Sequence, residues 1–187
     1  MDAVVTDSVR ALRESPPRLG SVRLVCVDGP AGSGKSTLAQ ALADRLGPGA
    51  VVVQLDDLLE GWAGLDGVFE RLDEQVLRPL SAGLPGRYQR YDWEAQRFAE
   101  WHDLPVPEVL VVEGCGSAPP PGDPRATLIV WVEAPADVRL ARGLARDGDG
   151  MRENWLRWME LEEAHFEREG TRGRADVIFD GTARLDP

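Results

Sequence analysis

Apolar residues cluster in five short runs separated by longer stretches with helical periodicity. Val22, Leu24, Val25, Cys26 and Val27 form the first run, closed by Asp28, and Val51, Val52, Val53 and Leu55 the second, closed by Asp56-Asp57. Val109, Leu110, Val111 and Val112 form the third, ending in Glu113-Gly114; Leu128 to Val132 the fourth; Val177, Ile178 and Phe179 the fifth. Short continuous apolar runs bounded by turn residues fit strands buried on both faces, as in parallel sheets. Between them the pattern predicts helices over 38–43, 68–80, 135–146 and 152–169, with Gly148-Asp149-Gly150 breaking the last two apart. The polar and aromatic stretch 87–93 is expected to lead into a short helix reaching Trp101, and the proline-rich 118–124 to form a surface loop. An amphipathic helix is expected over 3–13, stopped by Ser15-Pro16-Pro17. Strands alternating with helices give an α/β protein: a parallel sheet of about five strands, helices on both faces and right-handed crossovers. The reading is an N-terminal extension over 1–20 and a single domain over 21–187, with a small helical lid over about 135–169.

The first two elements enclose Gly29-Pro30-Ala31-Gly32-Ser33-Gly34-Lys35-Ser36-Thr37, a complete P-loop between a buried strand and a helix start. Its glycines permit backbone angles that a Cβ would forbid, so successive N–H groups can form a cradle for phosphate oxygens. The helix start adds free N–H donors and a positive dipole end. Lys35 can reach the β- and γ-phosphates, and the Ser36 hydroxyl is placed to ligate Mg²⁺. A nucleoside triphosphate is therefore the expected ligand.

The 187 residues carry a formal net charge of −11, which argues against a nucleic acid polymer held through its phosphates. A small phosphorylated ligand needs only a few local cations. Cys26 and Cys115 are too few and too far apart for a disulfide scaffold or a metal site. No apolar leader and no membrane-length run occur in the sequence, so the expected setting is cytoplasmic, with no membrane partner.

In a parallel sheet the ligand lies beyond the carboxyl ends of the strands. Asp28, Asp56 and Glu113 all stand there. Asp28 enters the loop and is expected to hold its turn by side-chain hydrogen bonds. Asp56 and Glu113 are expected from strands flanking the first, close enough to complete a Mg²⁺ shell and to accept a proton from an attacking hydroxyl. On the helix over 135–146, Arg142 and Arg146 share a face and suit the charge that develops in phosphoryl transfer, whereas Arg139 reads as solvated. Trp155, Trp158 and Met159 recur at helical spacing, as a core stripe or a substrate wall. His102 and His165 read as surface or satisfied histidines.

The order of P-loop, strand with Asp56, Tyr91-Asp92-Trp93, strand with Glu113-Gly114, and a helix bearing Asp137, Arg142 and Arg146-Asp147 resembles the uridine kinase branch of the nucleoside and nucleotide kinase family, from about residue 22 to 147. That resemblance implies a three-layer P-loop kinase fold with ATP and Mg²⁺ as cofactors. It implies ATP on residues 29–37, Asp56 as the base activating the substrate hydroxyl, Glu113 with Ser36 and Asp56 at the metal, and Lys35, Arg142 and Arg146 in catalysis. Tyr91 aligns with a tyrosine that contacts the nucleoside base; Trp62, Tyr88, Arg97 and Glu113 join it and Asp56 as candidate acceptor contacts. Gln96 and Arg97 stand near the place of the family's histidine, and residues 148–154 replace its second Arg-Gly-Arg segment. The expected partner is a small-molecule phosphate acceptor. Two other readings stay open: a nucleoside monophosphate kinase, for which Arg87, Arg90 and Arg97 are available, and a regulatory NTP-binding module. The Asn-Lys-x-Asp signature of guanine-specific switches is absent.

Overall fold

The computed structural model describes residues 2–183. Helix α1 (Asp2–Glu14) precedes strand β1 (Arg23–Asp28), α2 (Lys35–Leu46) and β2 (Ala50–Gln54). Two 3₁₀ turns follow, Leu55–Asp57 and Gly61–Ala63, and then α3 (Leu65–Leu72), which runs through a π-helical segment (Asp73–Leu77) into α4 (Arg78–Ser81). Strands β3 (Gly86–Asp92), β4 (Arg97–Leu104), β5 (Val109–Glu113) and β6 (Ala126–Glu133) come next. The chain ends with α5 (Ala136–Asp147), a 3₁₀ turn (Asp149–Met151), α6 (Arg152–Glu169), α7 (Thr171–Arg174) and β7 (Val177–Asp180).

Five strands form one parallel sheet in the order β2-β5-β1-β6-β7. Successive side chains of a strand point to opposite faces, and β1 shows it. Leu24 and Cys26 enter a core with α3, α4 and α6, while Val25 and Val27 enter a second core with α1 and α2. Val5, Val9 and Leu12 of α1 are buried in the second core. Among the described residues, no helix is long and apolar enough to cross a membrane.

Two expectations are corrected. Asp56 does not follow a strand next to β1, because β5 lies between β1 and β2. The three valines of β2 suggest a central strand, but β2 is an edge strand with half-open side chains, whereas all of β5 is buried. The short helix expected up to Trp101 is instead β4, paired antiparallel with β3 in a separate two-stranded hairpin. Its turn chemistry explains the difference: Asp92 Oδ1 accepts bonds from the Glu94 and Ala95 N–H groups (3.1 and 2.8 Å), and Gln96 adopts a left-handed φ of 51°. The helix placed over 68–80 begins at Leu65 and carries the π segment. Helix α6 occupies Arg152–Glu169, the expected range.

Candidate active site

The P-loop leaves the carboxyl end of β1 in the middle of the sheet. Gly29 (φ 136°) passes so close to β6 that a Cβ would stand 2.1 Å from the Val132 carbonyl oxygen. Gly32 (φ 75°) packs equally tightly on the Arg139 backbone of α5. Asp28 is fully buried and accepts bonds from the N–H groups of Gly29 (2.7 Å), Gly116 (2.9 Å) and Ala118 (3.0 Å). It therefore joins the P-loop to the turn after β5. Burial raises its pKa, against those three donors. The first N–H groups of α2 have no intrahelical acceptor and face the loop's concavity.

Lys35 is 8 % exposed; its Nζ donates to the Pro30 carbonyl (2.9 Å) and lies 3.5 Å from Cys115 Sγ. Burial disfavours the ammonium, but Cys115, Glu113, Asp56 and Glu162 around it more than offset this, and its pKa lies above the ordinary lysine value. Glu113 closes β5 beside it. Burial raises the Glu113 pKa, opposed by the Lys35 charge and the Ser36 hydroxyl. Asp56 is exposed in the 3₁₀ turn after β2, one strand further out. The hairpin closes on that turn through Trp93 Nε1, which donates to the Asp56 carbonyl at 3.1 Å.

The arginines of α5 divide. Arg142 donates to the Gly32 carbonyl (3.1 Å) and the Gly181 carbonyl (3.0 Å), tying the P-loop to the end of β7. Arg146 pairs with Asp147 (2.7 Å) and stands 5.7 Å over the Trp155 ring. Its raised pKa is due first to Asp147, with smaller contributions from Asp56 and Glu113. Arg139 is not solvated: it is paired with Glu162 of α6, and its side chain is 12 % exposed.

An aromatic cluster lies beside the Asp56 turn. Trp62 meets Trp93, Trp155 and Trp158 edge-on at centroid distances of 5.8, 6.2 and 6.0 Å. Trp155 and Trp158 are buried, so they are core residues that also back Trp62. Tyr91 is buried against Trp93 and Phe98 with its hydroxyl toward Gly61. Tyr88 stacks on His102 (5.3 Å), away from this cluster, and Arg97 is exposed at the hairpin end. Glu100 is held down to about 2, first by its hydrogen bond from Arg90.

Sequence reasoning missed three residues under the P-loop. Glu162 Oε2 accepts from the Ala31 N–H (2.8 Å) and Trp158 Nε1 (2.9 Å), and Cys115 Sγ reaches both Glu162 Oε2 (3.5 Å) and the Gly29 carbonyl (3.3 Å). Arg139 completes the group. The signal for Glu162 was its place in the stripe Trp155, Trp158, Glu162, His165, all buried on one face of α6.

Ser36, Glu113 and Asp56 offer hydroxyl and carboxylate oxygens, the donor set of a hard cation such as Mg²⁺. Among the described residues no group of three or more His, Cys, Asp or Glu could hold a metal by itself.

The family model described as AAA domain matches residues 25–166, from β1 into α6. The chain belongs to this AAA-domain family. Two solved structures share the fold of this family member over nearly its full length. One, named as a candidate uridine kinase from Bacillus stearothermophilus, is 21 % identical with a TM-score of 0.69, over 96 % of this chain and 100 % of that one. The other, named as a candidate fructose transport system kinase from Silicibacter sp. TM1040, is 20 % identical with a TM-score of 0.61, over 95 % and 97 %. The fold is thus the three-layer α/β fold of P-loop kinases. No curated protein matches the sequence.

Proposed function

We propose that this AAA-domain protein is an ATP-dependent kinase that transfers the γ-phosphoryl group to a hydroxyl of a small molecule, a nucleoside or sugar in class. The observation that carries this reading is the assembly of Lys35, Ser36, Glu113 and Asp56 at the carboxyl ends of β1, β5 and β2. Lys35 supplies fixed positive charge at the transferring phosphate, where a buried cation acts with little screening. Ser36 and Glu113 would hold Mg²⁺, which when bound neutralises charge on the phosphates. Asp56, exposed beside the P-loop and next to Trp62 and Trp93, is free to accept the proton of an attacking hydroxyl. Arg146, on α5, adds positive charge that the same carboxylates influence.

A phosphate acceptor would need free arginines on the hairpin. Arg87 instead pairs with Asp103 (3.2 Å) and lies over Trp101, and Arg90 is held by Glu100 and Asp92. Of the three hairpin arginines only Arg97, exposed at the turn, has no ion pair among the described residues, so the hairpin offers less unpaired positive charge than a nucleoside monophosphate calls for, which supports an uncharged acceptor. The names of the two structural neighbours, which refer to uridine and fructose, support an acceptor of this class.

The Asp56→Asn variant tests the reading. Shape persists while the proton acceptor is lost, so turnover should fall about a hundredfold or more with nucleotide affinity little changed. The loss should persist when Mg²⁺ is titrated to saturation. Full rescue by Mg²⁺ would reassign Asp56 to the metal, and an unchanged rate would contradict a hydroxyl acceptor.

A further inference from the structure

Glu162 is a carboxylate with 1 % exposure in the middle of a helix whose other glutamates mostly face solvent. A buried charge persists only where hydrogen bonds and an opposite charge replace water. Here Arg139 supplies the charge, and the Ala31 N–H, the Trp158 indole and the Cys115 thiol surround the remaining lone pairs. One of those donors belongs to the P-loop itself.

The first half of the loop is fixed from outside, peptide by peptide. The Gly29 N–H goes to Asp28, and the Gly29 carbonyl faces Cys115. The Pro30 carbonyl accepts from Lys35 and the Gly32 carbonyl from Arg142. Ala31 is gripped on both sides, its N–H by Glu162 and its carbonyl by Arg139 at 3.4 Å. Without an acceptor at Glu162 the part-buried Ala31 N–H loses its protein partner, and rotation of that peptide would turn the loop away from the phosphates.

We infer that Glu162 is a positioning residue for the nucleotide: its carboxylate, carried on α6, fixes the Ala31 peptide so that the P-loop holds its phosphate-binding shape before any phosphate arrives. This rests on the reading that the loop binds a nucleotide. It also makes the middle of α6 part of the phosphate site's frame, in place of a lid swinging as one piece over 135–169. A pre-shaped loop spends less binding energy on ordering itself, so the effect belongs to nucleotide affinity and not to the acceptor.

Two double variants separate this role from that of a fold-stabilising ion pair. Arg139→Met with Glu162→Gln removes both charges but keeps a carbonyl oxygen for the Ala31 N–H. Arg139→Met with Glu162→Leu removes both charges and the acceptor. Binding of Mg–ADP is measured by equilibrium dialysis, with thermal stability and the acceptor KM at saturating ATP recorded alongside. The Gln double variant should bind ADP within about fivefold of wild type, and the Leu double variant at least about thirtyfold more weakly, with acceptor KM unchanged in both. Equal ADP affinities in the two variants, or a loss that simply follows melting temperature, would overturn the inference alone. Wild-type protein that binds no ADP would overturn the nucleotide reading and this inference with it. Hydrogen exchange on wild-type protein supplies a test independent of either variant folding. The Ala31 amide should already be protected without nucleotide, and fast exchange that slows only on ADP addition would also overturn it.

Discussion

Against its burial, Cys115, Glu113, Asp56 and Glu162 together raise the Lys35 pKa, and Glu162 is itself paired with Arg139. The Lys35 Nζ donates to the Pro30 carbonyl and lies against the Cys115 sulfur, two neutral partners that the oxygens of a bound phosphate can replace. Lys35→Met keeps the stem and deletes the charge. The variant should fold, as judged by circular dichroism, and lose at least about a hundredfold in phosphoryl transfer; near-wild-type turnover would remove the P-loop from the active site. Residue by residue, legibility followed locality. Asp28 was readable through its bond to the adjacent Gly29 N–H, while its bonds to Gly116 and Ala118 across the fold were not; Glu162 lies 131 residues from its Ala31 partner among glutamates of identical local appearance. Arg139 was misread for the same reason: pairing across two helices decides its burial, and its helical periodicity does not reveal that partner.

Among elements, α5 and α6 meet closely at Gly143. A Cβ on Gly143 would lie 2.3 Å from the Trp155 indole, whose Nε1 in turn donates to Asp147 at 2.9 Å. Gly143→Ala should therefore lower stability by about 1–3 kcal/mol despite the better helix propensity of alanine. Gly67→Ala in α3, where a Cβ meets nothing within 4 Å, should raise it by about 0.5–1 kcal/mol. Denaturant titration of both variants checks the pair, and a stabilised Gly143→Ala would contradict the α5–α6 packing. Strands of the sheet were legible because each is a short apolar run, which burial on two faces demands of β1, β5 and β6 and which the half-open edge strands β2 and β7 share. The hairpin was not. Its residues 86–104 alternate polar and aromatic without a continuous apolar run, and the register comes from the Asp92 turn and from partners such as Gln75, which accepts from the Gln89 N–H at 2.9 Å. Strand order was equally hidden, since three successive valines fit an edge or a centre until β5 is seen to insert.

For the whole molecule, the sheet divides the work: α1 and α2 close one face, and α3, α4 and α6 close the other beneath the site. His165 belongs to that second layer. Burial lowers its pKa below the usual 6.5, and its Nδ1 faces Arg168 Nη2 at 3.1 Å, a group that can only donate, so the native ring is neutral. The unfolded chain takes up a proton near pH 6.5 while the native state resists it. The stability His165 contributes is thus complete above that pH and declines as pH falls below it. Melting temperature should drop more between about pH 7.5 and about pH 5.5 in wild type than in His165→Gln; equal drops would contradict a neutral buried ring.

The central claim is phosphoryl transfer to a hydroxyl at the carboxyl ends of β1, β5 and β2. Its most direct measurement is ADP formation from Mg–ATP across a panel of nucleosides, sugars and nucleoside monophosphates, with the product identified by mass spectrometry. The account predicts ADP release that depends on an uncharged hydroxyl compound and matches, mole for mole, a new phosphate ester on it. ATP consumption indifferent to every acceptor, or transfer only onto nucleoside monophosphates, would contradict it.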